Sequence, residues 1–183
     1  MRILSLDLAQ RTGFADGEPG APPQESGAIV LKKPGDPQEV AFRELDRFLR
    51  RRFLGPLKPD LVVREAPFNL AAYARYRNGQ AQVEMAFGMR AIVLGLCSAF
   101  EIRCETADVR TVRKHILSRG VPDGTRDEVK LLVIKRCKLV GLMPKDAPDD
   151  DDRGDAIAQW CWACDVFGRK QPQELFLFGE TLR

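Results

Sequence analysis

A chain of 183 residues with 44% hydrophobic side chains can close one sizeable core but not two, so one domain is expected over residues 1–170 with a short tail at 171–183. A net charge of +3 excludes a histone-like polycation, so any grip on nucleic acid must come from local basic patches. No stretch approaches the roughly 18 to 20 apolar residues of a membrane span, the opening MRILSLDLAQ has no signal-peptide pattern, and the 5 cysteines read as reduced thiols, which together predict a cytoplasmic protein.

Residues 3–9 form a short apolar run in which alternation puts Leu4, Leu6 and Leu8 on one face and Ser5 and Asp7 on the other, the pattern of a buried strand. A second strand continues from residue 12 into a Gly- and Pro-rich stretch, and residues 26–31 read as a third, the turn residues between them favouring antiparallel hairpins. Across residues 37–53 the apolar positions Val40, Phe42, Leu45, Phe48, Leu49 and Phe53 recur at mostly three- and four-residue steps, which predicts an amphipathic helix with its arginines outward, stopped by Gly55 and Pro56. Residues 59–66 (PDLVVREA) read as a central strand that delivers Glu65 at its far end, beside Asp7.

The apolar segment 80–100 carries Ala81, Ala86, Gly88, Ala91 and Gly95, which suits a helix packed closely on the sheet or on a partner chain. A fifth strand at 102–105, helices at 107–117 and 126–140, a polar loop and a last helix at 152–167 complete an α/β order, with hairpins first and helical crossovers later.

Four acidic residues stand at informative places: Asp7 and Glu65 at strand ends, Asp152 and Asp155 at the start of the last helix. An isolated buried charge costs several kcal/mol, and a shared divalent cation neutralises several converging carboxylates at once. Oxygen-only ligands favour Mg²⁺, with Mn²⁺ able to substitute, over zinc. Three residues apart on a helix, Asp152 and Asp155 share a face, and the first turn favours them electrostatically. Asp151 competes with Asp152 for the role in this crowded run.

Basic residues cluster at positions 50–52 and again through Arg110, Arg113, Lys114, Arg119, Arg126 and Lys130. They fit either a phosphate-gripping flank or solvated helix faces.

Together, LSLDLAQRTGFA around Asp7, VVREAPF around Glu65, GQAQVEMAFGMRAIVLG in the long helix and DRGDAIA around Asp152 and Asp155 make residues 1–166 resemble the RuvC-like Holliday junction resolvases of the ribonuclease H-like superfamily, particularly their phage-type relatives. The chain departs from the bacterial pattern where Leu8 and Ala9 replace a proline and a glycine after the first aspartate.

The resemblance implies a ribonuclease H-like α/β fold with a five-stranded mixed sheet. It also implies two Mg²⁺ ions held by Asp7, Glu65, Asp152 and Asp155. Phe68, three past the glutamate, would stack on unpaired bases, unless it folds onto the core instead, and Arg113, Lys114 and Lys130 would contact DNA. The partners implied are four-way or otherwise branched DNA and a second copy of the chain packed through the long helix.

Two rival readings are a ribonuclease H-like nuclease for RNA, flaps or replication branches, and a binding protein that has lost catalysis. Retention of all four acids argues against the second. Cys161 and Cys164 form a C-x-x-C without a completing pair and read as core, His115 reads as a partly buried helix residue, and no phosphate-binding Gly-rich loop supports nucleotide use.

Overall fold

A computed structural model of the chain describes residues 1–66, 79–118 and 124–168, so Phe68 and the tail expected at 171–183 lie outside the described residues. The described residues form a sheet of strands β1 (Ile3–Asp7), β2 (Arg11–Gly17), β3 (Glu25–Val30), β4 (Leu61–Glu65) and β5 (Arg103–Ala107). Their order is β3-β2-β1-β4-β5, with β1–β2 and β2–β3 antiparallel and β1–β4 and β4–β5 parallel. The helices are α1 (Gln38–Phe53), α2 (Gly79–Ala99), α3 (Val109–Leu117), α4 (Arg126–Leu139) and α5 (Asp151–Phe167). This is the mixed sheet with hairpins first and crossovers later that the sequence predicts.

Boundaries moved where capping or pairing overrode periodicity. β5 runs on to Ala107 because that residue pairs with Glu65, and Asp108 then caps α3 by accepting the Thr111 N–H. Asp150 caps α5 by accepting the Arg153 N–H, so the helix begins one residue before Asp152.

Both faces of the sheet are covered. Leu4, Leu6, Phe14 and Val62 pack with residues of α1 and α2, whereas Ile3, Ala15, Leu61 and Val63 pack with residues of α3, α4 and α5. The Ser5 face of β1 is therefore as dry as the leucine face, and its hydroxyl donates to the Ala156 carbonyl at 2.7 Å, satisfying a polar group that would otherwise be orphaned. Trp160, fully buried on α5, donates its indole N–H to the Ile3 carbonyl at 3.1 Å.

One arginine of α1 contradicts the outward expectation. Arg52 turns inward, pairs with the buried Asp16 at 2.6 Å and lies over the Phe14 and Phe48 rings at 4.6 and 4.7 Å. Arg2 reaches the same carboxylate at 2.7 Å, and two guanidiniums plus stacking compensate a charge that could not be buried alone.

α2 also corrects the sequence reading, because by length and composition it is apolar enough to cross a membrane. Met85, Met89, Val93 and Leu96 nevertheless lie in the core, and a Cβ at Gly88 would stand 2.4 Å from the Phe42 ring, so this helix packs tightly on α1 within one chain. Its other side leaves Phe87 and Leu94 nearly half exposed beside Ala91 and Gly95.

Candidate metal centre and nucleic-acid interface

Strand parity aims the first two carboxylates. On β1, Ile3 and Ser5 face α5, and on β4, Leu61 and Val63 do, so Asp7 and Glu65 share that face by the two-residue period. The parallel register pairs Leu6 with Arg64, and one step on Asp7 stands beside Glu65 at the ends of adjacent strands. Across the antiparallel pair Asp7 faces Gly13, and here α5 makes its closest approach: a Cβ on Gly13 would lie 1.9 Å from the Asp152 carbonyl oxygen. A side chain of any size at this position would push the first turn of α5, and Asp152 with it, away from Asp7.

Two turns along α5, Gln159 donates its amide to the carbonyls of Leu6 at 3.3 Å and Val63 at 2.9 Å, tying β1 to β4 just behind the two strand acids. Asp152, Asp155 and Gln159 follow i, i+3, i+7 spacing, a stripe that sequence periodicity could have shown.

Asp7, Glu65, Asp152 and Asp155 line one cavity of about 630 Å³ together with Arg110, Arg113, Arg126 and Lys130. Burial raises the Asp7 carboxyl to about 7, with Asp155, Glu65 and Asp152 adding repulsion and Lys130 opposing it. Glu65 is also raised by burial against the pull of Arg90, and Asp155 by burial against Arg113 and Lys130. Among the described residues neither Asp7 nor Glu65 has a hydrogen-bond or ion-pair partner.

Asp155 has two cations at longer range, Arg113 at 3.8 Å and Lys130 at 3.9 Å. Lys130 also bonds Asp151 at 2.5 Å, and Asp151 is about half exposed and does not line the cavity. The oxygens of Asp150, Asp151 and Asp152 lie within 4.8 Å of one another, but Arg11 bonds Asp150 and Asp152 while Lys130 holds Asp151. Partly buried, mutually repelling, oxygen-only donors with two members unpaired are a set that a hard divalent cation fits.

Of the basic residues expected at the site, Arg113 and Lys130 reach the cavity, whereas Lys114 is exposed and does not line it. Arg11 and Gln159 are polar residues at the site that the sequence reading did not single out. His115 pairs with Asp165 at 3.0 Å and sits 3.9 Å from Cys161, on the part of α5 beyond the acids.

No protein-family model and no curated protein matches the chain. What the comparisons with solved structures show is the fold, which is ribonuclease H-like and similar to that of RuvC. Thermus thermophilus RuvC superposes with a TM-score of 0.61 at 18% identity, over 87% of this chain and 90% of that one. The same protein in complex with a Holliday junction substrate gives 0.62 at 18% identity with the same coverage. The yeast mitochondrial Holliday junction resolvase Ydc2 gives 0.52 at 12% identity, over 87% of this chain and 77% of that one.

Proposed function

We propose that this chain is a Mg²⁺-dependent, structure-selective endonuclease that cuts four-way DNA junctions as a homodimer. The observation that carries the reading is the convergence of Asp7, Glu65, Asp152 and Asp155 on one cavity rimmed by arginine and lysine, on a fold like that of RuvC. In this reading Asp7 and Glu65, side by side at the strand ends, would hold metal together with Asp152 and Asp155. Two such ions, when bound, supply a nucleophile at neutral pH and offset charge on the leaving 3′ oxygen, giving a 5′-phosphate and a 3′-hydroxyl.

The chain's own residues do the remaining work. Arg110 and Arg126 stand exposed on the rim, where a DNA backbone would pass, and Arg113 and Lys130 project deeper, beside Asp155. Lys130 carries its proton firmly, its pKa raised by Asp151 and Asp155 over the opposing effect of burial, so it can offset charge that builds on the phosphate. Asp7 holds a proton up to about pH 7 and must release it as the site loads, so Mg²⁺ affinity should climb with pH toward neutrality. Phe68 is proposed to stack on bases opened at the branch point.

Labelled four-way junction, duplex, flap and RNA–DNA hybrid incubated with and without Mg²⁺ test the proposal. Cutting of the junction alone, only with metal, is the expected result, and equal cutting of flap or hybrid would replace junction selectivity with the broader nuclease activity.

The two basic residues of α3 should separate. Arg113→Gln should weaken junction binding and slow cutting, with the binding defect shrinking as salt rises, while Lys114→Gln should leave the cutting rate within about twofold, because one side chain enters the cavity and the other does not. Binding isotherms at several salt concentrations check this.

The homodimer reading rests on the outer face of α2, where Phe87, Ala91, Leu94 and Gly95 remain exposed after the inner face is packed. Leu94→Glu should turn a dimer into a folded monomer in sedimentation equilibrium. An unchanged mass would remove this face from the interface.

A further inference from the structure

Arg11 plays no part in the mechanism above, yet its guanidinium is hydrogen-bonded to two carboxylates at the site. It opens β2, and its guanidinium lies across the start of α5. There Nη1 donates to Asp150 Oδ1 at 2.8 Å and to Asp152 Oδ2 at 2.5 Å, and Nη2 donates to Asp150 Oδ2. Asp150 is the helix cap and does not line the cavity, whereas Asp152 does. Asp152 therefore has an oxygen hydrogen-bonded to a fixed positive charge, whereas Asp155 has only its longer ion pairs to Arg113 and Lys130, and the carboxylates of Asp7 and Glu65 have no partner among the described residues.

A divalent ion drawing on that oxygen would have to displace a charge-assisted hydrogen bond and approach a like charge. The Arg11 side chain is 44% exposed and its guanidinium keeps Asp150 as a second anchor, so it can let go of Asp152 without leaving the helix start or disturbing the core.

We propose that Arg11 is a positioning residue that keeps Asp152 aimed into the metal-free cavity and weakens metal binding there until a substrate phosphate supplies the compensating negative charge. This rests on the reading of the four carboxylates as a metal centre. It makes metal and DNA binding reciprocal, each raising the affinity of the other.

The test is Mn²⁺ binding to the full chain without DNA, read from the electron paramagnetic resonance signal of free Mn²⁺, for wild type, Arg11→Ala, Arg11→Lys and Asp7→Asn. Arg11→Ala should bind Mn²⁺ about five- to tenfold tighter than wild type, and Arg11→Lys, which keeps the charge, should stay within about twofold. A residue that merely braced the fold would weaken binding when lost, so equal or weaker binding by Arg11→Ala overturns the proposal. Should thermal melts show Arg11→Ala unfolded, Arg11→Gln is read against the same criterion. Absence of any wild-type Mn²⁺ binding that Asp7→Asn abolishes would remove the metal centre itself, and this inference with it.

Discussion

Asp7→Asn is expected to reduce junction cleavage by on the order of 10³-fold or more while making the metal-free protein more stable at pH 8. The folded carboxyl titrates near 7 and the reference carboxyl at 3.8, so between those values the folded state binds more protons than the unfolded chain. The stability this group contributes is complete below about pH 4 and is lost as pH rises through 7. Asparagine fills nearly the same volume and cannot ionise, so the substitution should recover up to about 4 kcal/mol at pH 8 in the absence of metal. Thermal melts with and without Mg²⁺ from pH 4 to 9 check both signs.

Wild type should gain stability from Mg²⁺ at pH 8, and the variant should not. A variant that still cuts at saturating Mg²⁺ would remove Asp7 from the proposed metal centre. Glu65→Gln and Asp155→Asn should lose cleavage in the same way, whereas Asp151→Asn should be mild because that carboxylate is about half exposed and serves Lys130.

Gly13→Ala should be the most damaging change among residues that do no chemistry. The added methyl would sit 1.9 Å from the Asp152 carbonyl oxygen and 2.4 Å from its carbon, and backbone cannot step aside as a flexible side chain can. The cost of overpacking should be about 2 to 3 kcal/mol, read in denaturant melts. Cleavage should fall further than stability alone implies, because the displaced turn carries two of the four acids. Gly95→Ala is the control: a Cβ there meets nothing within 4 Å, so monomer stability should hold or rise slightly. Equal behaviour of the two variants would mean that α5 does not rest on β2 as closely as described.

The strand acids were legible because a charge closing an apolar run has few inexpensive explanations, and Asp7 and Glu65 duly share a face at adjacent strand ends. Asp152 and Asp155 were legible as a helical i, i+3 pair, and both line the cavity. What sequence could not supply is pairing in space. Arg52 belongs to a basic triplet that reads as solvated, yet Asp16, 36 positions earlier, draws it into the interior. Nothing in the chain order marks Arg11 until α5 is laid across it, and Lys114 is grouped with Arg113 until the helix is oriented. Gly13 carries no mark in the sequence, because its constraint comes from a helix 139 residues further on, through Asp152. Side-chain identity marked the candidate residues; the partners that hold each group depended on contacts between distant segments.

The amide of Gln159 spans contacts 153 and 96 positions apart in the chain, to Leu6 and to Val63. A polypeptide emerging from the ribosome therefore exposes Asp7 and Glu65 long before α5 exists to complete the constellation, and closing such distant contacts is among the slower steps of folding. The order of synthesis thus sets when the constellation can form: a nascent or prematurely terminated chain ending before residue 152 would carry only half the proposed carboxylates. Such a fragment should lack the proposed cleavage even in abundant Mg²⁺, while keeping the basic residues that precede α5.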